Sequence, residues 1–252
     1  MKRMVMLAVV SVVALVPLMA GGQGEDDGVT RLTVATDATW PPMEFINEDQ
    51  EIVGFDIDLM NAIAEAGGFE VEFQNTAWDG IFAGLANRDY DAVISSVTIT
   101  EERQRTMDFS VPYINAGQVL IVRQDAPAGW QSLEDLQGES VGAQIGTTGA
   151  IEVGEVDGVD LRTYDELGLA VEDLAQGRIA GVVADTPIAA DFALQNENYS
   201  SVLQIVGEPF TEEFYGVAVR GGNDEVLELI NEGLEVVLND GTIEELQDTW
   251  LR

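Results

Sequence analysis

The chain lacks three of the side chains on which enzymes rely most. Its 252 residues contain no cysteine and no histidine, and the only lysine is Lys2. The commonest general base, the best thiol nucleophile and the amine that forms Schiff bases are therefore missing from everything after residue 2. Carboxyl and hydroxyl groups remain, so the composition disfavours an enzyme without excluding one. The absence of cysteine also excludes disulfides and lipid attachment through a cysteine.

Positive charge is scarce as well. The sequence has 46 acidic residues against 11 basic ones, which gives a formal net charge of −35. Such a surface repels nucleic acid and anionic membranes, so neither is an expected partner. A high-salt habitat would explain the charge, because salt screens the repulsion between carboxylates. An ordinary acidic secreted protein is the alternative, but the near-total loss of lysine favours the saline habitat.

Long apolar runs are absent except at the start of the chain. Lys2 and Arg3 precede an apolar run over residues 4–19, which small residues follow. This order predicts a secretory signal peptide at 1–20 and a periplasmic or extracytoplasmic location. An uncleaved anchor is the alternative, although a spanning helix needs about 20 apolar residues. Residues 21–28 are expected to form a flexible lead-in.

The remainder of the chain alternates between strand and helix patterns. Hydrophobic residues make up 46% of the sequence, enough for a sizeable core. The alternation predicts α/β architecture with parallel sheets covered on both faces. The predicted strands are Arg31–Thr36, Glu70–Asn75, Ala92–Ser95, Gln118–Arg123, Ser140–Ala143, Leu161–Tyr164, Gly181–Ala184 and Tyr215–Val219. The predicted helices are Asp56–Ala66, Asp79–Asn87, Asp165–Gln176, Pro187–Gln195, Asp224–Asn239 and Thr242–Leu251.

Polar and aromatic side chains follow the carboxyl ends of the predicted strands, where open α/β sheets bind their ligands. These candidate residues are Asp37, Trp40, Trp78, Ser95, Ser96, Thr98, Arg103, Thr148 and Asp185. A free α-amino acid needs such a set: a guanidinium and N–H donors for its carboxylate, a carboxylate for its ammonium group, and flat walls for its side chain. Each candidate also has a structural alternative as a turn residue, a helix cap, a core aromatic or a solvated charge.

Two acidic residues open the first predicted helix. Asp56 and Asp58 could form half of a metal site, but carboxylates at a helix start explain them better, because they interact favourably with the positive end of the helix dipole. Asp56 is the expected N-cap of this helix, and Gly67 is its expected stop. Neither a metal nor any other cofactor is predicted.

Four segments resemble the bacterial extracellular solute-binding proteins of family 3. They are Gly54–Gly67 (GFDIDLMNAIAEAG), Asp91–Tyr113 (DAVISSVTITEERQRTMDFSVPY), Val141–Thr148 (VGAQIGTT) and Asn239–Leu251 (NDGTIEELQDTWL). The resemblance spans nearly all of the chain after the signal segment. It implies the type II periplasmic-binding-protein fold, in which two lobes, each a mostly parallel sheet flanked by helices, are joined by two hinge strands. Lobe 1 would comprise residues 29–116 and 209–252, and lobe 2, inserted into it, residues 117–208.

The resemblance also implies which residues bind the carboxylate and the α-ammonium group of the ligand. Arg103 would hold the carboxylate of an amino acid. Ser96 and Thr98 would add backbone and hydroxyl bonds, and Thr148 would reach the same carboxylate from the other lobe. Asp185 would hold the α-ammonium group.

The side chain of the ligand would meet a different set of residues. Trp40 and Trp78 would enclose it, although the family often has tyrosine or phenylalanine at these positions. Asp37 would meet its far end, and Glu44 is a weaker candidate for that role. A carboxylate there suits a basic amino acid or glutamine. Arginine and lysine are favoured, because a cation between aromatic rings gains about 0.5–2 kcal/mol.

The resemblance predicts a function in transport. The chain would capture a polar amino acid by closing its lobes and would deliver it to the membrane permease of an ABC transporter. Two alternatives stay open. One is a dehydratase of an amino-acid precursor on the same scaffold, and the other is the sensing module of a receptor.

Overall fold

The computed structural model describes residues 29–251, so the predicted signal peptide and lead-in lie outside the described residues. The strands are β1 (Arg31–Thr36), β2 (Thr39–Trp40), β3 (Glu44–Ile46), β4 (Ile52–Val53), β5 (Glu70–Asn75), β6 (Ala92–Val93), β7 (Met107–Phe109), β8 (Ile114–Asn115), β9 (Gln118–Arg123), β10 (Ser140–Gln144), β11 (Asp160–Tyr164), β12 (Gly181–Asp185), β13 (Leu203–Val206), β14 (Phe214–Tyr215) and β15 (Ala218–Arg220). The α-helices are α1 (Phe55–Gly67), α2 (Trp78–Asn87), α3 (Thr148–Glu155), α4 (Leu167–Ala175), α5 (Thr186–Ala190), α6 (Asp224–Asn239) and α7 (Thr242–Trp250).

Each lobe is built on a five-stranded sheet. The first sheet has the order β5-β1-β6-β15-β7, and the second has the order β11-β10-β12-β9-β13. In each sheet the fourth strand, β15 or β9, pairs antiparallel with both of its neighbours, while the first three strands pair in parallel. Four strands of each sheet therefore share one direction, and the predicted mostly parallel sheets are confirmed.

Two segments connect the sheets. Strands β8 and β14 pair antiparallel with each other, and they lie on either side of the residues that build the second sheet. The first sheet takes its strands from residues 31–109 and 218–220, and the second takes its strands from residues 118–206. The lobe boundaries at 116–117 and 208–209 stay a prediction.

Helices cover both faces of each sheet because successive strand residues point to opposite sides. In the first sheet, Val34 packs in the apolar cluster of α1 and α6, while Ala35 packs with α2. In the second sheet, Ile121 packs in the cluster of α4 and α5, while Leu120 packs with α3. Among residues 29–251, no helix combines the length and the apolar character that crossing a membrane requires.

The start of α1 differs from the prediction in one way that matters for the site. Gly54 precedes the helix at φ 136°, and a side chain there would collide with the carbonyl oxygen of Met43. The prediction that Asp56 caps the helix was wrong. Its carboxylate instead accepts hydrogen bonds from the backbone N–H of Ser96 (2.7 Å) and from the hydroxyl of Tyr113 (2.9 Å). The carboxylate therefore holds the loop after β6 in place.

Other bounds shift by a few residues. Helix α1 has Gly67 as its last residue, and the left-handed residue that caps it is Gly68 (φ 72°) rather than the predicted Gly67. The single helix predicted over Pro187–Gln195 is α5 followed by a π-helical turn, Asp191–Gln195. The strand predicted over Tyr215–Val219 is divided between β14 and β15. None of these differences moves a candidate residue away from the edge of its sheet.

Candidate functional site

A cleft lies between the two lobes. The carboxyl ends of β1 and β6 approach it from the first sheet, and those of β10 and β12 approach it from the second. The residues that line it are Asp37, Trp40, Glu44, Trp78, Ser95, Ser96, Thr98, Arg103, Gln144, Thr147, Thr148 and Asp185. All nine candidates predicted from the sequence therefore meet at one site, and their roles toward a ligand stay predictions.

Arg103 supplies a guanidinium group that reaches toward both lobes. Its Nη1 donates to the carbonyl oxygen of Thr98 (2.8 Å), and its Nη2 donates to the carbonyl oxygen of Gly146 in the second lobe (3.5 Å). The guanidinium carbon lies 5.3 Å from the ring centre of Trp78 and 5.1 Å from that of Phe82. Burial lowers the pKa of Arg103, and nearby carboxylates oppose that effect. An arginine remains charged at neutral pH, so the cleft contains a fixed cation.

Asp185 ends β12 and is 6% exposed. It occupies the N-cap position of α5, but its side chain makes no capping hydrogen bond. One carboxylate oxygen accepts from the amide of Gln118, and the other accepts from the hydroxyl of Tyr215. Burial, assisted by the charge of Glu213, raises the pKa of Asp185 to about 7. The capping alternative is therefore not what the side chain does in this structure.

Asp37 is 4% exposed and is bonded from both lobes. One carboxylate oxygen accepts from the hydroxyl of Thr39 (2.9 Å). The other accepts from the backbone N–H of Trp78 (3.3 Å) and from the side-chain amide of Gln144 (3.0 Å). Burial raises the pKa of Asp37, and these hydrogen bonds oppose the rise. Gln144 was not predicted, although its place at the end of β10 follows the same strand-end rule as the other candidates.

Glu44 is fully buried and forms part of the cleft wall. The sequence made it only a weaker candidate than Asp37 for contact with the ligand side chain. Its carboxyl group accepts from the hydroxyls of Ser95 (3.0 Å) and Ser96 (3.4 Å). Burial, followed by the charge of the neighbouring Asp56, raises the pKa of Glu44 well above its ordinary value. Burial likewise raises the pKa of Asp56 to about 7. The two carboxyl groups therefore retain a proton under conditions in which exposed carboxyls have lost theirs.

Two tryptophans give the cleft its apolar walls. Trp40 lies in β2 and is 8% exposed, and Trp78 begins α2 and is 9% exposed. The ring of Trp78 makes an edge contact with Phe82, with 5.0 Å between the ring centres. The indole N–H of Trp40 is buried and has no hydrogen-bond partner among the described residues. Both tryptophan side chains are thus as buried as residues of the core, and both line the cleft.

Both acidic residues at the start of α1 accept hydrogen bonds from within the protein. Asp56 is bonded as described above, and Asp58 accepts a hydrogen bond of 2.8 Å from the indole N–H of Trp250. Within residues 29–251, no group of three or more acidic, histidine or cysteine side chains is placed to hold a metal ion.

The inner side of the site contains residues that no sequence pattern predicted. Gln118 and Tyr215 bond to Asp185, and Glu213 bonds to Thr98 and Thr148. They lie in or beside the connecting segments rather than at strand ends facing the cleft. The strand-end rule therefore could not find them.

Over nearly its whole length, the chain is similar to proteins whose names describe the binding of amino acids. The family model for bacterial extracellular solute-binding proteins, family 3, matches residues 32–252. The L-cystine-binding protein TcyJ of Escherichia coli (strain K12) is 32% identical over 249 residues, which cover 96% of this chain and 92% of that protein. ABC transporter arginine-binding protein 1 of the same strain is 34% identical over 222 residues, which cover 87% of this chain and 90% of that protein.

A solved structure has the same architecture. An ancestral arginine-binding protein bound to arginine superposes with a TM-score of 0.83 at 43% identity, covering 88% of this chain and 98% of that one. The chain belongs to the bacterial extracellular solute-binding proteins of family 3.

Proposed function

We propose that this protein captures a basic L-amino acid, with arginine preferred, by closing its two lobes, and delivers it to the permease of an ABC importer. Arg103 holds the carboxylate of the ligand, and Asp185 holds its α-ammonium group. Ser96, Thr98 and the N-terminus of α3 at Thr148 surround these two charges. The aromatic walls enclose the side chain.

The excess of carboxyl groups in the cleft carries this proposal. Among the described residues that line it, Arg103 is the one cation, whereas Asp37, Glu44 and Asp185 are acids. The carboxylate and ammonium of any amino acid satisfy Arg103 and Asp185. Asp37 and Glu44 then face the side chain, and a buried carboxylate needs an opposite charge or donors to offset its loss of hydration. A cationic side chain supplies both.

The arrangement of these two acids favours a guanidinium over an ammonium. The hydroxyl of Ser95 links the two residues, because it accepts from the backbone N–H of Asp37 (2.9 Å) and donates to the carboxyl group of Glu44 (3.0 Å). Two carboxyl groups at neighbouring positions suit a planar group with five donors better than a compact ammonium. A guanidinium also stacks well on Trp40 or Trp78. The arginine-binding relatives support the same choice.

Location and partner follow from the family and from the start of the sequence. The family is extracellular, and residues 1–20 have the pattern of a secretory signal peptide. Residues 29–116 with 209–252 form lobe 1 of the proposed clamp, and residues 117–208 form lobe 2. An arginine-binding relative is named as part of an ABC transporter. We infer that the permease recognises the surface that the two closed lobes form together.

The other two functions are less well supported. A dehydratase would convert its ligand, whereas the family and the relatives described above are binding proteins. A receptor module would share the cleft but would signal rather than deliver. Two measurements separate the three functions. A bound amino acid that is not converted excludes the dehydratase, and uptake of the amino acid that depends on this protein favours transport over signalling.

A thermal-shift screen of the twenty amino acids tests the proposal directly. L-arginine is expected to give the largest rise in melting temperature. A ligand at 1,000 times its Kd adds about 4 kcal/mol to the free energy of unfolding. If no amino acid at millimolar concentration moves the melting temperature, binding of amino acids is contradicted. If an acidic or apolar amino acid gives the largest rise, the basic ligand is contradicted.

A further inference from the structure

A single buried carboxylate receives hydroxyl groups from both lobes. Glu213 is 6% exposed and lies one residue before β14. Its Oε2 accepts from the hydroxyl of Thr98 (2.7 Å), which follows β6, and from the hydroxyl of Thr148 (2.8 Å), which begins α3. Its Oε1 accepts from the hydroxyl of Thr211 (3.1 Å). One side chain therefore joins the edges of the two sheets and the connecting segment.

The backbone of Glu213 is fixed by the connecting segments themselves. Its carbonyl oxygen accepts from the N–H of Ala116 (2.7 Å), just after β8. The loop of Thr98 is attached to the same region, because the N–H of Ile99 donates to the carbonyl oxygen of Phe214 (2.8 Å). Thr148 in the second lobe reaches Glu213 through its hydroxyl. Of the contacts of Glu213 described here, the bond from the Thr148 hydroxyl is therefore the one that depends on the second lobe approaching the first.

Glu213 also lies between Arg103 and Asp185, which are predicted to bind the carboxylate and the ammonium group of the ligand. It is linked to Arg103 through residue Thr98 and to Asp185 through Thr148 and Gln118. On one side, the carbonyl oxygen of Thr98 accepts from Arg103 (2.8 Å). On the other side, the hydroxyl of Thr148 accepts from the amide of Gln118 (3.1 Å), which also donates to Asp185. The carboxylate of Glu213 thus connects the cation of the cleft to its buried aspartate.

The bonds to Glu213 determine what the two threonine hydroxyls can offer a ligand. A hydroxyl has one hydrogen and two lone pairs. Because the carboxylate of Glu213 takes the hydrogens of Thr98 and Thr148, both hydroxyls present only lone pairs toward the cleft. They can accept from an ammonium group, and they cannot donate to a carboxylate. The carboxylate of the ligand is left to Arg103 and to backbone N–H groups.

We propose that Glu213 is a positioning residue of the ligand site, which joins the two lobes and fixes the direction of the Thr98 and Thr148 hydroxyls. The joint between the lobes is argued from the hydrogen bonds of Glu213 to Thr98 and Thr148. Only the effect on ligand selection rests on the proposed function.

The direction of the hydroxyls is tested with Glu213→Met. Methionine has a similar length but no oxygen acceptor, so the hydroxyls of Thr98 and Thr148 must both turn their hydrogens elsewhere. The matched control is Glu212→Gln, which removes the same charge from the exposed neighbouring residue. Calorimetry compares L-arginine with 5-guanidinopentanoate, which lacks the α-ammonium group. The preference for L-arginine is expected to fall at least tenfold in Glu213→Met and to stay unchanged in Glu212→Gln. A purely structural role would weaken both compounds equally, and an unchanged preference overturns the proposed orientation.

The joint between the lobes is tested without any ligand. Because the chain has no cysteine, Asn61→Cys on α1 and Glu155→Cys on α3 give two unique, exposed labelling sites, one in each lobe. The distance between spin labels is expected to lengthen in Glu213→Met relative to Glu212→Gln. Thr148→Val, which removes the hydroxyl of the second lobe without changing charge, is expected to lengthen it too. Unchanged distances in both variants overturn the joint, even if no amino acid binds to the wild-type protein.

Discussion

The side-chain amide of Gln144 donates a hydrogen bond of 3.0 Å to the carboxylate of Asp37, from the end of β10 in one lobe to the end of β1 in the other. The same nitrogen donates to the carbonyl oxygen of Asp165 (2.9 Å), which fixes the orientation of the amide. The contact joins residues 107 positions apart in the sequence. It holds the carboxylate of Asp37 in place at the cleft wall when the lobes are together.

The first prediction concerns the charge of Asp37. Asp37→Asn removes the charge while keeping the shape, and a charge-assisted hydrogen bond contributes about 1.5–3 kcal/mol. Binding of L-arginine is therefore expected to weaken about 10- to 100-fold, and the ranking of the twenty amino acids is expected to shift toward glutamine. Asp79→Asn, an exposed residue beside Trp78, is the control for net charge. Calorimetry that finds the same affinity and ranking in Asp37→Asn would refute the role of Asp37.

The second prediction separates two arginines of the same short turn. Arg103 lines the cleft, whereas Arg105 is exposed. Arg103→Ala is expected to abolish binding of every amino acid, because the carboxylate that it holds is common to all of them. Arg105→Ala is expected to bind as the wild type does. Thermal-shift measurements on both variants with amino acids at millimolar concentration check this. Retained binding in Arg103→Ala would show that another group binds the carboxylate of the ligand.

The third prediction concerns pH. Burial raises the pKa of Asp185 and that of Asp56 to about 7. It also raises the pKa of Glu44, which lines the cleft, well above its ordinary value. A bound cation favours the ionised carboxylates, so binding at pH 7 is expected to release protons and to weaken as pH falls below 7. Calorimetry in buffers of different ionisation enthalpy counts the released protons.

Asp185→Asn supplies the control for that dependence. It has no carboxyl group at this position, so its remaining binding is expected to be weak and to depend less on pH than binding by the wild type. Wild-type affinity that is constant between pH 5.5 and 8.5, with no proton release, would contradict ionisation of these groups by the ligand.

The fourth prediction concerns salt. With a formal charge of −35, like charges repel over the whole surface. The Debye length falls from about 30 Å at 0.01 M salt to about 3 Å at 1 M, so molar salt screens all but the nearest pairs. The melting temperature is expected to rise steeply over this range of sodium chloride. Sucrose at equal osmolality, which screens no charge, is the control. A melting temperature that does not change with salt would contradict adaptation to a saline habitat.

The sequence alone determined the components of the site. The strand pattern located β1, β6, β10 and β12, and the carboxyl ends of parallel strands necessarily meet at one edge of a sheet. A residue such as Arg103 or Asp185 could therefore be assigned to the cleft from its position after a strand. The family segments added the two-lobed arrangement, which no local pattern contains.

Only the tertiary structure decided how these components are connected. The pairing of Asp37 with Gln144, the burial of Glu44 against Asp56, and the hydroxyl of Thr98 on Glu213 join residues far apart in the chain, up to 115 positions. Side-chain periodicity reports which face of an element is buried, and it carries no record of which distant polar group lies opposite. That partner decides whether a carboxyl group keeps its proton and which way a hydroxyl points, because both depend on burial and on the nearest donor or acceptor.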